Sequence, residues 1–431
     1  MSEGREFTAD FDPYSIPLED IDPAQASLFQ ADAHWRVFER LRKEDPVHYT
    51  KDGPHGAYWS VTKYNDIFTV DTDHETYSSA AGISLKRRPP ASTEPRPEPT
   101  EEQKKQREQM GGFAMFIAMD PPKHDLQRAT VSTVVAPPNL KKMESTIRER
   151  AAKILDDLPR GETFNWVEHV SIELTTQMLA TLFDFPFEDR RKLTLWSDIF
   201  TESESVAHLS GLERNAEIME CLDRFTLLWN EKIDKPLQPD LISMLANGED
   251  TRDLKPYELL GNLILLIVGG NDTTRNSISG GVLALNQNPD QYAKLMKHPE
   301  LIPNMVPEII RWQTPLPHMR RTATRDAVLG GKHIKEGDIV VMWYVSGNRD
   351  KDHVTDPDSF IIDRSMARQH LSFGFGIHRC MGNRLAEMQL RVLWEEIVNR
   401  FSKVEVVGEP KRNRSILIKG YTDLPVQVHE H

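Results

Sequence analysis

Two cysteines occur in this chain, Cys221 and Cys380, and the second stands where a thiol can do chemistry. It lies in LSFGFGIHRCMGNRLAEMQLRVLWEEI, residues 371–397. Beyond it, Leu385, Met388, Val392, Leu393 and Ile397 recur at helical spacing. A cysteine at a helix N-terminus faces the positive end of the dipole and free backbone N–H groups. Both stabilise a thiolate, the form that binds metal. Gly374 and Gly376 permit a tight loop ahead of it, and Gly382 lets a flat partner approach the helix start. The plainer use of a lone cysteine is as a small buried hydrophobe.

A second group is VGGNDTTRNSISGG, residues 268–281, inside an apolar helical run. Two adjacent glycines, Gly269 and Gly270, cost a helix about 2 kcal/mol relative to alanines. A cost of that size points to packing or to function. Asp272 and Thr273 follow Gly269 by three and four residues, which places them on its side of the helix. A threonine hydroxyl there can bond the carbonyl four residues back and bend the helix. The packing alternative is a small-residue helix crossing with a polar cap. Glu308 and Arg311 form an i,i+3 pair, which on an ordinary helix is worth ~0.5 kcal/mol or less. His124 and Arg128 share a helical face, and Arg321 lies in HMRRTAT. Taken singly, these basic residues read as solvated.

The elements that must carry these groups are mainly helices. Candidates are 139–157, 166–184, 187–200, 211–232, 238–247, 256–286, 289–297 and 381–401, with a shorter one over 35–42. Val47–Tyr49 and Tyr58–Val61 alternate like strands, and VLGGKHIKEGDIVVMWY reads as a hairpin or two short strands. A strand-rich tail follows residue 401. Residues 85–110 hold many charges and prolines and read as a mobile, exposed inserted loop, either a solvated linker or a lid. No repeat and no Gly/Ser linker divides the chain. The expectation is one large domain over 1–431, mainly α with small β-sheets.

Composition narrows the classes. The chain has 431 residues, 39% of them hydrophobic, with a formal net charge of −13. That is enough chain to enclose a cofactor, and the acidic balance argues against a protein that coats nucleic acid. The longest apolar run falls well short of the ~18 residues of a membrane span. The polar, acidic N-terminus argues against a secretory signal. Two cysteines exclude a disulfide framework and fit a reducing cytoplasm.

Phe373 to Gly382 resembles the haem-binding loop of the cytochrome P450 family at every defined position of Phe-Gly-x-Gly-x-His-x-Cys-x-Gly. Gly269–Gly270–Asn271–Asp272–Thr273, Glu308-x-x-Arg311 and Arg321-x-Ala-Thr are similar to further motifs of that family, in its order. The resemblance covers the chain from about residue 35 to the end. It implies the cytochrome P450 fold and haem b, with Cys380 as the axial thiolate and Phe373, Gly374 and Gly382 shaping the loop. His124, Arg128, Arg321 and His378 would meet the haem carboxylates. Gly269 and Gly270 would leave room for dioxygen, Thr273 would hydrogen-bond it, and Asp272 would relay protons. Glu308, Arg311 and Arg364 would form a buried bracing network.

Within the family the chain looks most like the soluble bacterial hydroxylases of alkane and fatty-acid ends. That implies a monooxygenase fed by a [2Fe–2S] ferredoxin and its NAD(P)H reductase, with Arg379, Arg384 and Arg391 as a docking patch. Position relative to the motifs gives the substrate pocket: Met115, Phe116 and Ile117; Leu265, Val268 and Gly269; Pro315, Leu316 and Met319; Ile416 and Leu417. The 85–110 insertion and the tail segment RSILIKGY depart from that group. Alternatives are attack on a terpenoid or steroid methyl group, a peroxide-driven peroxygenase, and a haem-based gas sensor. The Asp272–Thr273 pair argues against the last two, because neither needs protons delivered to dioxygen.

Overall fold

The computed structural model describes residues 6–88 and 100–431. Helix Pro256–Gln287 runs through the middle of the molecule, 32 residues long and so about 48 Å from end to end. Pro256 opens it at the position where a missing N–H costs nothing, and the Glu258 carboxylate accepts from the Lys255 N–H at 3.2 Å. Most of its residues are buried, because helices Glu173–Phe183, Arg191–Phe200, Ile302–Gln313 and Asn383–Arg400 all pack on it. Close approach explains three of its glycines. A Cβ on Gly270, Gly280 or Gly281 would stand 2.7, 2.3 or 2.9 Å from Leu179, Gln313 or Ile309.

The remaining helices follow the apolar periodicity. Helix Gly211–Lys232 begins at a capping box, in which Ser210 Oγ accepts from the Glu213 N–H and Glu213 accepts from the Ser210 N–H. The 166–184 stretch is helical throughout but starts with wider π turns over Val167–Ile172. The 238–247 segment becomes helical only at Leu241, where Asp240 caps it.

Five strands form the main sheet, in the order Val47–Thr50, Tyr58–Val61, Ile339–Met342, Met319–Ala323, Tyr77–Ser78. Tyr58–Val61 and Ile339–Met342 pair in parallel, and the other pairings are antiparallel. The glycine-rich run expected to form a hairpin or two short strands forms three strands in two sheets. Ala327–Leu329 and Lys332–Ile334 form a hairpin around Gly330 and Gly331, both at positive φ, and the next run joins the main sheet instead. The tail strands Phe401–Val406 and Pro425–Glu430 pair antiparallel with each other, and the second also pairs with Phe164–Asn165.

Residues 85–110 differ from the expected loop in two places, while residues 86–88 are exposed and without regular structure. Leu85 is buried in the core beside the sheet, and Glu101–Met110 is a helix. The segment EEQKKQREQM has one apolar residue, Met110, which packs against the helical core; the rest are strong helix formers with acids leading bases, so it forms a helix with almost no core face. Residues 89–99, the rest of that expectation, lie outside the described residues.

Apolar side chains gather in a large core among the helices and two smaller ones beside the sheet. Between the helical core and the sheet lies a cavity whose empty space, its mouth to solvent included, is about 1500 Å³.

Candidate active site

The cavity has Cys380 on one wall and the Gly269–Thr273 stretch of the central helix on another. The cysteine loop is shaped by backbone. Gly374 and Gly376 both sit at positive φ, and a Cβ on Gly376 would stand 2.5 Å from the Asp71 carbonyl oxygen. The Cys380 N–H donates to Phe373 O at 2.8 Å, which closes the loop on itself. Burial pushes the Cys380 thiol pKa up. The N–H groups of Gly382 and Asn383 and the guanidiniums of Arg128 and Arg379 pull it down. A cation bound at the sulfur adds to that second set.

Arg128, Arg321, Phe373, Gly374, His378 and Gly382 all line the cavity around the thiol. His124 stands behind them, buried, its ring edge-on to His378 at 4.4 Å between centroids. His124 Nδ1 pairs with Asp125, but His124 Nε2 and both ring nitrogens of His378 are buried with no partner in the protein. Arg128 donates to the Arg379 carbonyl, beside Cys380. Arg321 is already half engaged: Nη2 donates to Asp71 Oδ1 at 2.9 Å.

Asp71 carries no sequence signal of its own. It is 2% exposed and accepts from Arg321, from the Phe375 N–H at 2.7 Å and from the Tyr344 hydroxyl at 3.1 Å. Those partners lie 250 to 304 residues further along the chain, so no local pattern could reveal it. The floor of the cavity is thus fixed to helix Tyr64–Thr72 and to the main sheet.

On the opposite wall Gly269 and Thr273 line the cavity, and a Cβ on Gly269 would meet no other protein atom. Thr273 Oγ1 donates to Gly269 O at 2.8 Å. Asp272 is not among the lining residues. Its carboxylate turns to the far side of the helix, where it is fully buried, accepts from Ser197 Oγ and pairs with Arg275. Arg275 in turn bonds Asp198 Oδ1 at 2.6 Å. Adjacent helical positions are about 100° apart. Placing both residues on one side was too coarse an expectation. Burial raises the Asp272 pKa and Arg275 draws it down.

Of the expected pocket residues, Phe116, Ile117, Leu265, Gly269, Pro315, Leu316 and Met319 line the cavity. Met115, Val268, Ile416 and Leu417 do not. Val268 packs into the helical core, and Ile416 packs in the sheet-side core, where its carbonyl meets His318. Met178, Leu179, Leu182 and Leu266 also line the cavity. The first three belong to an amphipathic helix whose sequence looks like ordinary core, so nothing local distinguishes them.

Glu308, Arg311 and Arg364 meet in the interior. Arg311 forks onto both Glu308 oxygens at 2.8 Å, and Arg364 Nε reaches Oε2 at 2.9 Å. Their remaining donors hold the carbonyls of Asn348, Pro357, Thr355 and Ser359. Ser372 Oγ, on the cysteine loop, donates to Ile310 O in the same helix as Glu308. On the outer surface Arg379 and Arg384 are exposed, whereas Arg391 is engaged by Glu144 and Glu395.

These residues fit a haem. The cavity's thiol, its unpartnered imidazole nitrogens and its two guanidiniums are the donor set for a thiolate-ligated iron and two carboxylates. Open space lies beside Gly382 and Gly269, on both walls, where a Cβ would meet nothing.

Comparison with known proteins agrees. The family model for cytochrome P450 matches residues 196–419. Linalool 8-monooxygenase of Pseudomonas putida is 33% identical over 95% of this chain and 99% of its own length. The methyl-branched lipid omega-hydroxylase of Mycobacterium tuberculosis is 29% identical over 96% of each. The solved structure of CYP153D17 from Sphingomonas sp. PAMC 26605 is 48% identical over 94% of this chain and 98% of that one, with a TM-score of 0.85. Together with the cysteine loop and the cavity it bounds, these likenesses show that the chain belongs to the cytochrome P450 family of haem-thiolate monooxygenases, whose bacterial forms draw electrons from separate redox partners.

Proposed function

We propose that this enzyme hydroxylates the terminal carbon of an unbranched, medium-chain alkane or fatty acid. The observation that carries the reading is the distribution of charge in the cavity. Its two arginines lie against the cysteine loop, Arg128 through Arg379 O and Arg321 through Asp71 to the Phe375 N–H. The rest of the lining is mainly apolar and includes Phe116, Ile117, Leu265, Leu266, Leu316 and Met319. A hydrocarbon chain can desolvate there without leaving a polar group unpaired. The names of two relatives, a linalool 8-monooxygenase and a lipid omega-hydroxylase, support oxygenation of a hydrocarbon chain.

Haem b held by Cys380 supplies the activation of dioxygen and the insertion of one oxygen atom into a C–H bond. His124, Arg128, Arg321 and His378 hold its carboxylates, and Asp71 keeps Arg321 aimed. Gly269 leaves room beside the helix. Thr273 can turn its hydroxyl from the Gly269 carbonyl toward the cavity and donate a hydrogen bond there. Asp272 is within one residue of that hydroxyl but on the buried side of the helix. It passes a proton by leaving Arg275 and Ser197, so its pairing sets how readily protons arrive. A hydrocarbon seated against the apolar wall displaces water from it.

The redox partner in this proposal is a [2Fe–2S] ferredoxin with its NAD(P)H reductase, in a cytoplasmic setting. Exposed Arg379 and Arg384 offer it positive charge near Cys380. Among the described residues no helix is long and apolar enough to cross a membrane.

Spin-state titration of the ferric holoenzyme tests the reading. Linear alkanes and fatty acids of graded length are compared with linalool and a steroid. A low- to high-spin shift that is tightest at one linear chain length is expected. A shift given only by the bulky ligands contradicts it and leaves terpenoid or steroid hydroxylation.

A further inference from the structure

We propose that Asn262 is a specificity-determining positioning residue: its buried amide fixes Phe116, and with it the outer end of the substrate cavity, to the central helix. Two independent contacts carry the inference. Asn262 Oδ1 accepts from the Phe116 N–H at 3.0 Å, and its Nδ2 donates to Gln127 Oε1 at 3.0 Å. Asn262 is 0% exposed, Gln127 2% and Phe116 4%. Water therefore cannot replace either bond, and a buried amide left unpaired costs about 1–3 kcal/mol.

The neighbouring residue adds a contact of a different kind. A Cβ on Gly261 would stand 2.1 Å from the Ala114 carbonyl oxygen, so residue 114 lies directly against the helix backbone. Lys255 Nζ extends the same seam by donating to Glu108 O at 2.7 Å. Residues 108–116 are thus laid along the first turns of the central helix. Phe116 and Ile117, at the end of that seam, line the cavity.

Geometry links the seam to the reacting end. Leu265, Leu266, Gly269 and Thr273 continue down the helix from Asn262 and line the cavity. Eleven residues separate Asn262 from Thr273, or about 16 Å of helix axis. The helix acts as a ruler with the reacting group at one mark and the anchored phenylalanine at another. Gln127 sits beside Arg128 on helix Lys123–Ser132, so the same amide also references the cavity floor. A fixed outer wall gives a length preference, and a free one gives tolerance of bulk. The inference rests on the proposed oxidation of linear chains for its direction.

The holoenzyme and its Asn262→Leu, Gly261→Ala and Asn262→Asp variants are titrated with n-octane, n-decane, n-dodecane and linalool, and amide exchange is followed at Phe116. Asn262→Leu and Gly261→Ala should bind the best linear chain roughly tenfold more weakly, lose the maximum at one length and gain response to linalool. Phe116 amide exchange should accelerate to a similar degree in Asn262→Leu. Asn262→Asp keeps the acceptor, and Gln127 can turn its amide to donate, so the parental ligand order should return. If Asn262→Leu does not hold haem, Gln127→Met and Gly261→Ala read the same shift. Parental ligand order and parental Phe116 exchange in the variants overturn the proposal, as does holoprotein loss with unchanged binding in what remains. A parent that answers only to linalool refutes the linear-chain reading instead. The clamp is then scored on linalool affinity, which should change roughly tenfold in the same variants if it holds.

Discussion

At the scale of single residues, the division of labour across one peptide bond of the central helix is the main result. Thr273 faces the cavity and Asp272 faces Ser197, Arg275 and Asp198. Thr273→Ala should therefore leave substrate affinity unchanged and lower product formed per electron pair by roughly tenfold or more, with peroxide released instead. NADH consumed against product formed measures it, and unchanged coupling removes the hydroxyl from the proton path. Cys380, Thr273 and the cations were legible because each sits in a short motif. Asp71 was not, since its carboxylate joins groups hundreds of residues apart. The direction of Asp272 was not either, because i+3 and i+4 spacing fixes a half of the helix rather than a wall of a cavity.

At the scale of elements, the buried Glu308–Arg311–Arg364 cluster ties helix Ile302–Gln313 to the loop before the cysteine. Glu308 is 0% exposed, Arg311 2% and Arg364 8%, so water has little room to stand in for a lost partner. Glu308→Gln strands two guanidiniums and should destabilise the protein by about 3–5 kcal/mol. Thermal melting of the holoprotein checks this, and a loss near that of a surface pair contradicts it. The pattern of helices was largely readable. Residues 211–232 carry both an apolar stripe and a capping box, and the structure begins and ends that helix at the expected residues. Glu101–Met110 was missed because prolines before it suggested disorder, whereas its own residues favour helix whether or not a core is present. The run Ile339–Met342 joins the main sheet because it pairs with Tyr58–Val61, and no local pattern announces a pairing between segments so far apart in the chain.

At the scale of the whole molecule, several buried histidines couple the fold to pH. Burial lowers the pKa of His318 from 6.5 to about 4 and that of His370 to about 3. His318 donates one way to Ile416 O and accepts the Leu85 N–H the other way, which uses up its neutral form. Unfolded chains bind these protons first, so the stabilisation is complete above pH 6.5 and is lost as pH falls toward 4. On those shifts His318 contributes up to about 3 kcal/mol and His370 up to about 5. Melting temperature should fall between pH 7 and 5, and His318→Gln should flatten that slope; an unaltered slope contradicts the assignment. The fold class was readable from periodicity and motif order, but the cavity belongs to no segment. It exists where the helical core and the sheet fail to touch, and only packing sets which leucines face it. The most direct test of the whole account is product analysis with a linear alkane, a ferredoxin system and isotopically labelled dioxygen. The account predicts the primary alcohol carrying one labelled oxygen atom. Internal alcohols as the main product, or oxygen drawn from water, would contradict it.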